Sequence, residues 1–195
     1  MISVYTDGGA HNNGPNKGIG GWGAVIIKDG EELKRLSGGS DNTTSNRMEL
    51  TALLASVKYL IESGLASEQI YYYSDSQYTQ NTVTTWMYGW ANRGWTTAEG
   101  SPVKNIDLVK ELYELYPKLN VIHYTWLRGH AGHKWNEVCD DLATQEQKKL
   151  MGLEPVDRTK EILEADPTYR YLNAMTKQKI IEYVISKGFK IEEEQ

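Results

Sequence analysis

Four carboxylates in this 195-residue chain have the types and placing to do chemistry together: Asp7, Glu49, Asp75 and Asp140. Asp75 lies in IYYYSDSQ, residues 70–77, where branched and aromatic residues give way to Ser-Asp-Ser. That pattern reads as a strand ending and a helix starting. Chemistry collects at the carboxyl ends of strands in open α/β sheets. A single aspartate there could equally be a helix cap, so its company matters. Four carboxylates in one notch repel each other unless divalent cations lie among them. Hard oxygen donors, with no Cys or His cluster, select Mg²⁺ or Mn²⁺ over Zn²⁺. Two such ions held about 4 Å apart suit in-line displacement at phosphorus. The chain has no GxxxxGK[ST] phosphate loop. The substrate phosphate would then be held from outside, as in a nucleic-acid strand.

The elements that must position these groups can be read in order. Residues 2–7, ISVYTD, alternate as a strand that ends at Asp7. A glycine-rich run, GGAHNNGPNKGIGGWG, reads as a wide hairpin loop whose glycines allow close backbone approach. Strands follow at 22–28 and 32–38, with a tight turn at 28–31; loops this short require an antiparallel meander. DNTTS, residues 41–45, is rich in helix-capping side chains. A helix is predicted over 46–63, stopped by Gly64. Glu49 shares its apolar stripe with Leu53 and Val57. It either reaches a site from there or lies at the stripe's edge and snorkels to water. After the 70–73 strand, residues 76–92 read as short helical pieces. A helix over 106–116, a strand over 120–126, a polar loop RGHAGHK and a helix over 135–150 complete the order. The last helix carries Asp140 and its neighbour Asp141, and periodicity does not choose between them. The expected fold is α/β. It has a mixed five-stranded sheet, three strands antiparallel and two parallel, with the first and fourth adjacent at its centre and helices on both faces.

Composition sets the outer bounds. The hydrophobic fraction is 39% and six Trp supply a real core, while no long apolar run reads as a membrane span. The start, MISVYTDGG, reads as a strand and not as a signal peptide. The single Cys139 fits a reducing compartment, so a cytoplasmic location is expected. The net charge of −5 does not advertise a nucleic-acid binder, but bound cations would cancel the clustered carboxylates locally. From Gly152 the composition shifts, and residues 152–195 are expected to form a small helical extension to a domain spanning 1–151. Helices are predicted there over 157–165 and from Thr176 to Lys187. From Glu154 onward the chain has 9 acidic and 7 basic residues, which does not mark a phosphate binder.

Several motifs together resemble ribonuclease H of type 1, the bacterial-type ribonuclease HI family. They are Tyr5-Thr6-Asp7-Gly8, Thr43 to Glu49 (TTSNRME), Ser74 to Tyr78 (SDSQY), Arg93-Gly94-Trp95, Pro102 to Asn105 (PVKN), and Gly129 to His133 (GHAGH) leading to Cys139-Asp140. They stand in family order and spacing over residues 1 to about 150. The resemblance implies hydrolysis of the RNA strand of RNA–DNA hybrids by two-metal-ion catalysis, leaving 5′-phosphate and 3′-hydroxyl ends. It assigns Asp7, Glu49, Asp75 and Asp140 as ligands for Mg²⁺, with Mn²⁺ as a substitute and two ions present when substrate is bound. It gives His130, whose near-neutral pKa suits proton transfer, an accessory catalytic role.

The same resemblance implies substrate contacts by Gly8, Asn13, Thr44, Ser45, Asn46 and Gln77, with Arg93, Trp95 and Lys104 in a protrusion that grips the DNA strand. The 2′-hydroxyl separates RNA from DNA in such contacts. Trp86 and Trp90 fall in the same region and read first as packing, and His123 reads as structural. With Arg93 and Lys104 as the protrusion's basic residues, a salt-sensitive grip is expected. The chain is expected to act as a monomer, without a small-molecule cofactor or a membrane. Two other readings share the fold: a two-metal DNA nuclease or strand transferase, and a catalytically weak hybrid-binding protein.

Overall fold

The computed structural model describes residues 1–11, 18–129 and 133–165. Asn13, the segment His130 to Gly132 and the helix expected from Thr176 lie outside the described residues. The chain divides into two compact units, Met1–Asp157 and Arg158–Gln195.

The first unit is built on one sheet. Strands β1 (Ile2–His11), β2 (Ile19–Lys28), β3 (Glu31–Ser40), β4 (Ile70–Ser74) and β5 (Val121–Trp126) lie in the order β3-β2-β1-β4-β5. β1 pairs antiparallel with β2 and parallel with β4, so the first and fourth strands are central neighbours as expected. The β2–β3 turn uses positive φ at Asp29 (52°) and Gly30 (90°), the backbone that a tight two-residue hairpin requires.

One expectation needs correction. β1 does not end at Asp7 but runs four residues further, and the glycine-rich run is not all loop. Gly8 and Gly9 pair with Trp22 and Gly21, and the ladder closes only at His11↔Ile19. The tertiary pairing overrides the weak local strand preference of glycine. What does stop near Asp7 is the other neighbour: the β1–β4 ladder ends at Tyr5↔Tyr73. Asp7 therefore projects beyond the end of β4 even though its own strand continues.

Helix α1 (Ser45–Glu62) covers one face of the sheet. Thr44 caps it, its hydroxyl accepting from the Arg47 N–H at 3.4 Å, and Gly64 turns the chain away at φ 70°. Leu50, Leu53, Val57 and Leu60 are fully buried against Ile2, Val4, Ile70 and Tyr72. Each such side chain contributes about 1.5–3 kcal/mol by leaving water. The short pieces expected over 76–92 are α2 (Gln77–Asn81), one π-helical turn (Thr82–Trp86) and α3 (Met87–Asn92). Helix α4 (Ile106–Leu115) packs beside α1 on the same core. Helix α5 (Lys134–Leu150) lies on β1, β2 and β3. It comes close because β2 is bare there: a Cβ on Gly23 would sit 2.5 Å from the Cys139 carbonyl oxygen. The second unit contributes α6 (Thr159–Ala165), within the helix expected over 157–165.

Candidate metal centre

Three of the four carboxylates converge at the carboxyl end of the central parallel pair. Asp7, Glu49 and Asp75 each offer an oxygen, and these oxygens all lie within 4.8 Å of one another. β1 carries Asp7 past the end of β4, and Asp75 is the first residue after β4. Glu49 comes from the second turn of α1, buried at 8% exposure, and does not snorkel to water. Close approach of α1 and β1 brings it there: a Cβ on Gly8 would stand 2.5 Å from the Glu49 nitrogen. The Gly8 N–H donates to Asp7 Oδ1 at 2.7 Å and also faces Glu49.

The electrostatics of this cluster call for a cation. Burial, followed by the charges of Asp75 and Asp140, pushes the Asp7 carboxyl up to about 8. Burial, then Asp7 and Asp75, pushes Glu49 well above the usual carboxylate range. Glu49 Oε2 is buried and accepts no hydrogen bond. An unpaired buried carboxylate oxygen is costly, and a cation relieves it. An all-oxygen donor set fits Mg²⁺ or Mn²⁺.

Asp140 is placed differently from the other three. It is exposed on α5, outside the tight cluster, yet its charge acts on Asp7. Its neighbour Asp141 is buried and accepts from the Gln145 side-chain amide at 2.8 Å.

The family model described as RNase H matches residues 1–148, which include all four carboxylates. The chain belongs to the RNase H family. The Ribonuclease H of Thiobacillus denitrificans is 42% identical over 145 residues, covering 74% of this chain and 92% of that protein. The Ribonuclease HI of Neisseria meningitidis serogroup B is 43% identical over 144 residues, covering 74% and 93%. Among solved structures, LC9-RNase H1, a type 1 RNase H with the type 2 active-site motif, superposes with a TM-score of 0.67 at 26% identity. It covers 87% of this chain and 83% of its own. RNase H1 of Halobacterium salinarum, 21% identical with a TM-score of 0.55, covers 76% of this chain and 98% of its own and shares the fold.

In this RNase H chain the expected substrate-contact residues fall into two groups. Thr44 and Asn46 are exposed at the start of α1, and Ser45 accepts from the Ala10 N–H at 3.1 Å, tying that start to β1. Gln77 is exposed at the start of α2, and Gly8 is buried beneath the carboxylates. Farther off are Arg93 and Lys104, both exposed, bracketing a loop closed by a Thr96–Pro102 bridge. Trp95 lies between them in the chain. At φ 66° it folds back half-buried, its ring edge-on to Tyr113 with Lys110 above it. Trp86, read first as packing, is the more open indole at 37% exposure, edge-on to Tyr78 and tilted against Trp90. His123 lies on edge strand β5 and is exposed.

Two residues from the β5 end of the sheet meet Asp75, and the sequence pattern ties neither of them to it. The Trp126 indole N–H donates to the Asp75 carbonyl oxygen at 2.8 Å, and Gly129 runs against its carboxylate. The sequence sign of Trp126 is its position at the end of a strand that parallels β4, and that of Gly129 is the GHAGH motif. No helix among the described residues is long and apolar enough to cross a membrane.

Proposed function

We propose that this chain is an endonuclease that hydrolyses the RNA strand of RNA–DNA hybrids. The observation that carries the reading is the meeting of Asp7, Glu49 and Asp75 oxygens within 4.8 Å in a chain of the RNase H family. Asp7, Glu49 and Asp75 are the inner ligands of the cage. Asp140 closes its open side, a role supported by the reach of its charge to Asp7. When bound there, two Mg²⁺ ions, or Mn²⁺ in their place, supply an activated water and neutralise the leaving oxygen, giving 5′-phosphate and 3′-hydroxyl ends.

The chain's own residues do the remaining work. The Gly8 N–H and the backbone around Asp75 hold the carboxylates in place before substrate arrives. Thr44, Ser45, Asn46 and Gln77 meet the nucleic acid beside the cage, where contacts to 2′-hydroxyls select RNA, and Asn13 is a further substrate contact. Arg93, Trp95 and Lys104 meet the DNA strand, and two cations make a grip that weakens with salt. His130 takes the accessory proton-transfer role. The catalytic domain is residues 1–151, with 152–195 a helical extension, and the protein acts as a cytoplasmic monomer without a small-molecule cofactor.

The test is cleavage of a labelled RNA–DNA hybrid with Mg²⁺, Mn²⁺ or EDTA, beside single-stranded RNA, RNA duplex and DNA duplex. Metal-dependent cutting confined to the RNA of the hybrid is expected. Cutting of the DNA duplex instead would transfer the cage to a DNA nuclease or strand transferase. Tight hybrid binding with no cutting would leave a binding protein.

A further inference from the structure

We propose that Trp126 is a positioning residue for Asp75, its indole N–H fixing the backbone from which that carboxylate projects. The inference rests on the proposed role of Asp75 as a metal ligand. The parallel ladder between β4 and β5 ends at Ser74↔Trp126, and the Leu127 N–H makes the last strand contact, to the Ser74 oxygen at 2.8 Å. Asp75 lies one residue beyond, in a bend, where regular pairing has run out. Its carbonyl oxygen instead accepts the Trp126 indole N–H at 2.8 Å. On the other side of Asp75, the Ser76 N–H donates to Ser74 Oγ at 3.1 Å. The bend carrying the carboxylate is therefore tied on both sides.

The same stretch of chain reaches the carboxylate itself. A Cβ on Gly129 would sit 2.9 Å from Asp75 Oδ2, so the segment leaving β5 passes directly against the ligand oxygen. Trp126 and Gly129 together hold Asp75 from the β5 side, one through its carbonyl and one by contact. Burial does not account for this indole, since Trp126 stays 43% exposed and lies outside the buried core cluster. An indole N–H is a donor only, with a fixed direction. Bonded to Asp75, it sets the tilt of that peptide and hence where the side chain points relative to Asp7 and Glu49. Partners that orient metal ligands govern metal affinity as well as activity.

Trp126→Phe keeps a ring and removes the N–H. Mn²⁺ titrated calorimetrically into parent and variant reads the cage without substrate. Loss of one neutral hydrogen bond predicts affinity weakened about three- to tenfold. In hybrid cleavage at sub-saturating metal, kcat should fall by a similar factor with KM unchanged. In the parent, the Trp126 indole proton should exchange slowly with deuterium despite the exposed ring. Unchanged Mn²⁺ affinity with a lower melting temperature would make Trp126 a simple brace and overturn the proposal. Unchanged Mn²⁺ affinity with raised KM would make it a substrate contact and overturn it equally. Should the variant not fold, the parental exchange rate still decides, because an unprotected indole proton contradicts the bond. A parent that binds Mn²⁺ but cuts no hybrid leaves this inference standing and removes the proposed substrate. A parent that binds no Mn²⁺ removes both.

Discussion

Gly8 and Glu49 meet backbone to backbone: a Cβ on Gly8 would stand 2.5 Å from the Glu49 nitrogen, with no flexible side chain in between to give way. This contact lets a helix residue and the strand residue Asp7 share one cage. Gly8→Ala must push α1 away from β1. Overpacking of this kind costs about 1–3 kcal/mol of stability. A shift of about 1 Å at a reacting centre can cost on the order of a hundredfold in rate. Chemical denaturation and hybrid cleavage should show both losses in the same variant. Parental activity with Ala at position 8 would mean that the spacing of Asp7 and Glu49 is not critical.

Asp75→Asn separates the chemistry from the fold. It removes one of the negative charges that raise Asp7 and Glu49, at nearly constant shape. Hybrid cleavage should fall by about a hundred- to a thousandfold, since removing one well-placed electrostatic group costs on the order of 10²–10³ by itself. The metal-free variant should melt no lower than the metal-free parent, because repulsion has been relieved. A variant that cuts at a rate near the parent's would exclude Asp75 from the cage.

The raised Asp7 carboxyl makes metal-free stability depend on pH. The ordinary carboxyl ionises near 3.8 and the folded Asp7 near 8. Below about pH 4 both states are protonated and nothing is lost. Between these values the unfolded chain releases a proton that the folded chain keeps, so stability falls as pH rises, and the loss is complete above about pH 8. Glu49 shifts in the same direction and adds to the slope. Melting temperature in EDTA should therefore decline from about pH 5 to about pH 9, less so in Asp75→Asn, and Mg²⁺ should recover most of it at the alkaline end. A flat profile in EDTA would contradict the crowding of charge.

The convergence of the carboxylates was legible because each clue was local. A β4 strand that turns at Ser-Asp-Ser places Asp75, and a charge on the α1 stripe with Leu53 and Val57 singles out Glu49, whose inward direction the packing of α1 on β1 then settles. Other features were set by partners distant in sequence. The glycines at 8 and 9 read as turn, yet lie in β1 because β2 pairs with them through His11↔Ile19. Trp95 packs edge-on to Tyr113 through a left-handed backbone that its residue type does not announce. The bond from Trp126 to Asp75 depends on where the β4–β5 ladder stops, a register that neither strand encodes alone.

Cys139 gives a chemical reading of how firmly α5 holds Asp140 to the sheet. It is fully buried, with its thiol donating to the Tyr5 carbonyl oxygen at 3.3 Å. Burial, and then the charge of Asp7, pushes the thiol up, so the reactive thiolate is scarce at neutral pH. A thiol reagent at neutral pH should label the folded protein only as fast as α5 opens, and denaturant should speed labelling along with unfolding. Because α5 rests on Gly23 at Cys139 itself, Gly23→Ala should lift the helix, accelerate labelling and weaken cleavage together. Rapid labelling of the native parent would mean that α5 is loosely docked, and that Asp140 reaches the cage only when substrate holds it there.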